Sequence, residues 1–143
     1  MYSIVAVGTS WGGLSASTRL LSGLPADFPI PIVIVQHRGK DSDALLAQLL
    51  QDATDLSVCE IEDKDALEAG RVHVAPADYH VVLEPGFATL TVEEPVRYSR
   101  PSIDVMFESA ADAYGPAAIG IGFFSPKVGS AHRSNCVFGP RVT

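Results

Sequence analysis

Residues 3–13 read Ser3-Ile4-Val5-Ala6-Val7-Gly8-Thr9-Ser10-Trp11-Gly12-Gly13, a short apolar run that ends in a glycine-rich turn. Beyond it, Leu14 to Leu24 carries apolar residues at Leu14, Leu20, Leu21 and Leu24, so the stretch reads as strand, turn and helix. Pro25, Pro29 and Pro31 punctuate the connection to Ile30–Gln36, an almost unbroken β-branched run of the kind found in a strand buried on both faces. The segment DSDALLAQLLQ, residues 41–51, starts with a capping acid and places Leu45, Leu46, Leu49 and Leu50 at helical spacing. Leu56–Ile61 supplies a third strand. A βαβαβ opening implies an α/β fold: a mostly parallel, doubly wound sheet with helices on both faces.

The texture changes after Gly70. Arg71–Ala75, His80–Glu84 and Ala88–Val92 are short strand-like runs, with a Pro85-Gly86 turn between the last two, and they predict an antiparallel patch. Pro101-Ser102-Ile103-Asp104 then opens a helix that runs to about Tyr114, followed by a strand over Ala117–Ile121. The remaining residues, 122–143, contain no acid and no helical period. The expected organisation is a domain over residues 1–121, with 122–143 a tail of the same domain that differs in composition from everything before it.

At 143 residues the chain has the size of one domain, and 47% hydrophobic residues supply a real core. Seventeen acids against ten Lys plus Arg give a net charge of −7, which argues against nucleic acid or an anionic membrane as the main partner. No apolar run is long enough to span a membrane, and the first residues lack the basic flank of a signal peptide, so the expected location is the cytoplasm. Cys59 and Cys136 stand far apart, outside any CxxC or Cys/His spacing, and read as ordinary thiols rather than a disulfide or zinc site.

Gly8-Thr9-Ser10-Trp11-Gly12 matches GxSxG between a predicted strand and a predicted helix, the setting of a nucleophile elbow. Small neighbours allow the sharp turn that lifts the Ser10 hydroxyl out at the strand's carboxyl end. The following helix aims backbone N–H groups at the same spot, Trp11 being the natural donor and Gly12 part of the turn. The alternatives are a tight turn with a buried serine, or a phosphate cradle. A dinucleotide fingerprint would need glycine where Ser10 stands and an acid where the chain has Gln36-His37. A P-loop would need Gly-Lys-Ser/Thr, which is absent. His37 follows the second strand and emerges on the same edge as Ser10, where an imidazole can take the hydroxyl proton. His80 with Asp78 is too sparse a set for a metal, so His73, His80 and the loop between them read as structural. No metal or other cofactor is implied.

Four segments, VAVGTSWGG, IVIVQHRG, RVHVAPADYHVVLE and RYSRPSIDVMFESAA, occur in the order found in the chemotaxis protein-glutamate methylesterase family, the CheB catalytic domain, which residues 2–121 resemble. The resemblance implies a parallel α/β domain with a Ser-His-Asp triad that hydrolyses glutamyl methyl esters on the cytoplasmic helices of chemoreceptors and often deamidates glutamines there. Ser10 matches the nucleophile and His37 the base. The family's triad acid lies in a glycine-rich loop directly after the strand read here as Ala117–Ile121, where this chain has GFFSPKVG, residues 122–129, with no acid. The triad acid is therefore unassigned. Asp104, in the family's RPSxD motif, is the nearest alternative, but its place at a helix start predicts a capping role. Trp11 is bulkier than the family's usual residue at that place and would narrow the cleft. The family's N-terminal receiver domain has no counterpart here, so phosphorylation control within this chain is not expected. The competing expectation is a non-catalytic or truncated relative that binds a receptor or sensory partner without turnover. A generic small-ester hydrolase is a weaker third.

Overall fold

In the computed structural model, the described residues are 1–10, 14–37, 45–93 and 100–124, together with the backbone of Arg133–Phe138. The strands are β1 (Ile4–Thr9), β2 (Ile32–Gln36), β3 (Ser57–Glu60), β4 (Asp65–Ala66), β5 (Arg71–Val74), β6 (His80–Glu84), β7 (Phe87–Thr91), β8 (Ala118–Phe124) and β9 (Arg133–Phe138). The helices are α1 (Leu14–Ser22), α2 (Leu45–Gln51) and α3 (Ile103–Tyr114). The main sheet has six strands in the order β3-β5-β2-β1-β8-β9, parallel throughout except for β9. A smaller antiparallel sheet has the order β4-β7-β6.

Side-chain alternation along β1 and β2 divides the core in two. Val5 and Val7, with Ile32 and Ile34, pack against Leu21 of α1 and Leu46 and Leu50 of α2. Ile4 and Ala6, with Val33 and Val35, pack against Ile103, Met106, Phe107 and Ala110 of α3 and against Val81, Leu83 and Ala88 of the small sheet. Covering both faces is what a parallel sheet of near-continuous apolar strands requires, because either bare face would leave a row of valines and isoleucines in water. Gln51 locks the exit from α2: its Nε2 donates to Leu56 O at 2.8 Å and its Oε1 accepts from Val58 N–H at 2.9 Å.

The structure departs from the sequence reading in three places. Arg71–Val74 belongs to the main sheet, parallel to both β2 and β3, and not to the antiparallel patch. The third strand of that patch is instead the short pair Asp65–Ala66, whose charged, two-residue run carries no periodicity to read. The strand expected over Ala117–Ile121 continues to Phe124, and β9 pairs with it antiparallel, so the flank of β8 opposite β1 is covered. The predicted helix start over residues 41–44 lies outside the described residues.

Candidate functional site

The carboxyl ends of β1 and β2 meet in register, Thr9 opposite Gln36. Ser10 and His37 each follow directly, and the hydrogen-bond ladder extends to both: His37 N–H donates to Thr9 O at 2.8 Å and Ser10 N–H to Phe123 O at 2.9 Å. Continuing the alternation of Ile4, Ala6 and Gly8, and of Val33 and Val35, Ser10 and His37 fall on the same face of the sheet, the one covered by α3. Both are half-buried, enclosed by the fold yet reachable from solvent. The structure thus brings these two sequence-predicted residues to one edge and one face. Trp11 and Gly12, the expected oxyanion and turn residues, lie outside the described residues.

The first turn of α3 stands over this edge because Gly8 leaves room for it. A Cβ built on Gly8 would come within 2.4 Å of Ile103 Cγ2 and 3.2 Å of Phe107 Cζ. Ser102 caps the helix, its Oγ accepting from Val105 N–H at 3.3 Å. This corrects the capping role expected for Asp104, which sits one residue inside the helix and is exposed. Burial pushes the His37 imidazole below its ordinary value of 6.5, and the Asp104 carboxylate partly offsets this by raising it. The charge of Asp104 therefore reaches the imidazole, a relation that sequence spacing does not reveal because 67 residues separate the two.

A clasp fixes the approach to α3. His80, 1% exposed at the start of β6, accepts Ser102 N–H at its Nδ1 at 3.1 Å. Arg100 donates from Nε and Nη2 to Asp78 Oδ1 at 3.0 and 2.8 Å, and from Nη1 to the carbonyls of Val92 and Glu93 at 3.1 and 3.2 Å. His80 and Asp78 thus both hold the segment that leads into α3. His73, 2% exposed in β5, accepts Glu68 N–H at its Nε2 at 3.2 Å and lies with Nδ1 3.7 Å from Cys59 Sγ. Among the described residues no group of three His, Cys, Asp or Glu is arranged to hold a metal. No described helix is long and apolar enough to cross a membrane.

Fold and edge together define a class: an open, mostly parallel α/β domain whose polar side chains collect where the strands' carboxyl ends meet the connecting loops. The comparisons with known proteins narrow the class to one family. The chain belongs to the CheB methylesterase family, whose model matches residues 5–123. It is similar to the CheB methylesterase catalytic domain of Thermotoga maritima, known from its crystal structure, with a TM-score of 0.79 and 31% identity over 85% of this chain and 67% of that one. A relative from Leptospira interrogans is 40% identical over 121 residues, 84% of this chain and 63% of its own length. Protein-glutamate methylesterase/protein-glutamine glutaminase 2 of Anaeromyxobacter dehalogenans is 43% identical over 118 residues, 82% of this chain and 35% of the relative. The chain therefore spans from about a third to somewhat under two thirds of these curated relatives.

Proposed function

We propose that this chain is a serine hydrolase acting on glutamyl methyl esters, with deamidation of glutamine as the companion reaction, on the cytoplasmic helices of chemoreceptors. The observation that carries the reading is the placement of Ser10 and His37 directly after register-paired Thr9 and Gln36, on one face of one sheet edge. The names of the relatives support the substrate class: protein-glutamate methylesterase/protein-glutamine glutaminase. In this reading His37 takes the Ser10 Oγ proton as the oxygen attacks the ester carbonyl. The N–H of Trp11, assigned from the sequence motif with Gly12 making room for the turn, holds the oxyanion. The proton then passes from the imidazolium to the departing methoxide, releasing methanol, and water resolves the acyl-enzyme to glutamate. A depressed His37 proton affinity suits the base role, because the neutral imidazole prevails at cytoplasmic pH.

The test is methanol release from methylated receptor signalling domains. Ser10→Ala is expected to lower the rate by at least about a thousandfold, as removal of a nucleophile does elsewhere. Equal rates for the two proteins reject the hydrolase reading. The second reading, a relative that binds receptor without turnover, draws on the acid-free run at residues 122–129. It is favoured by receptor capture in a pulldown together with no Ser10-dependent methanol.

A further inference from the structure

We infer that Asp104 is the positioning residue of His37, a carboxylate on the first turn of α3 that steadies the imidazolium formed when His37 takes the Ser10 proton. The inference deepens the hydrolase reading and rests on it for the catalytic step, but the influence of Asp104 on the His37 titration is measurable on its own.

Three features of the structure lead there. The α3 face of the sheet is the face on which Ser10 and His37 lie. Ile103, the residue before Asp104, is pressed against Gly8 two positions before Ser10, which brings the first helical turn over the carboxyl edge. That turn is held by groups outside the helix, the His80–Ser102 hydrogen bond and the Arg100–Asp78 ion pair, so its height above the edge is set by β6 and the loop before it. Among the described residues, charges are sparse on the strands beside Ser10 and His37, with none on β8; Lys127 and the side chain of Arg133, beyond its end, lie outside the described residues. β1 and β2 carry none, β5 has Arg71 at its opposite end and His73 directed to Glu68, and Asp78 is paired with Arg100. On α3, Asp104 comes first and Glu108 one turn later, and among the described residues the charge that acts on His37 is that of Asp104. Arg38, Lys40, Asp41 and Asp43 follow His37 in sequence and lie outside the described residues.

Protons balance without any further reactant: one leaves Ser10 Oγ for His37, Asp104 takes none, and the same proton leaves with methanol. Because Asp104 is exposed, its influence is screened by water and salt, and it is a weaker support than a buried triad acid.

The experiment follows the His37 imidazole by NMR in the full 143-residue chain, the resonance being assigned from its loss in His37→Gln. Asp104→Asn is expected to shift the His37 titration to lower pH and Asp104→Glu to restore it. Glu108→Gln, the same charge change one turn away, is expected to leave it in place. At about 1 M salt, where the screening length falls to about 3 Å, wild type and Asp104→Asn are expected to converge. In methanol release at low salt, Asp104→Asn is expected to lose up to about fivefold in kcat/KM, with the acid limb of its pH profile moved in step with the NMR titration. An unshifted His37 in folded Asp104→Asn, or an equal shift in Glu108→Gln, overturns the inference. Absence of Ser10-dependent methanol release in the wild type overturns the hydrolase reading instead and leaves the titration result standing.

Discussion

Position 37 shows how burial and charge compete at one imidazole. Removal from water outweighs the attraction of Asp104, so the group stays neutral to lower pH than a free histidine. In the hydrolase reading, the rate of methanol release is expected to rise through a pH below 6.5 and be flat near neutrality, which a pH profile of kcat/KM checks. Ser10 and His37 were legible in the sequence because each is punctuated locally: a GxSxG turn for one, the end of a β-branched run for the other. Asp104 entered the sequence reading only through its motif, as an alternative triad acid set aside for a capping role; its place relative to the edge depends on where a distant helix lands.

At the scale of elements, the contact between α3 and β1 is decided by what Gly8 lacks. Gly8→Ala would place a methyl group 2.4 Å from Ile103 Cγ2, so α3 must shift or the side chain must leave its rotamer. The expected cost is about 1–3 kcal/mol, read as a lower urea midpoint at unchanged slope. The clasp makes a second prediction. His80→Phe keeps an aromatic ring but is bulkier and removes the acceptor for buried Ser102 N–H, and the unpaired N–H together with overpacking is expected to destabilise by roughly 1–3 kcal/mol in the same assay. The sequence reading of β5 went astray at this scale. Arg71–Ala75 and His80–Glu84 are both short β-branched runs, and nothing in the residues themselves distinguishes a strand added to a parallel sheet from one that opens a hairpin. Partner choice was settled by the core: Val72 and Val74 are both fully buried, packed with Ile32 and Ile34 on the α1/α2 side.

For the molecule as a whole, buried titratable groups set the limits of stability. Burial lowers both His37 and His73, so between pH 6.5 and their folded values the unfolded chain binds protons that the fold does not, and stability falls as pH falls. Burial raises Cys59 above 9.0, so the unfolded thiol ionises first and stability falls again as pH rises past that value. Thermal unfolding across pH 5 to 10 is expected to show a maximum between these limits, with the alkaline decline flattened in Cys59→Ala. What the sequence determined by itself was the parallel α/β opening and the two residues at its edge, since apolar periodicity and turn chemistry act over a few neighbours. The tertiary structure alone decided that β5 enters the main sheet, that β9 flanks β8, and that the first turn of α3 stands over the edge carrying Ser10 and His37. Each of these is a choice among partners distant in the chain, made by burial of surfaces that no short window of residues contains.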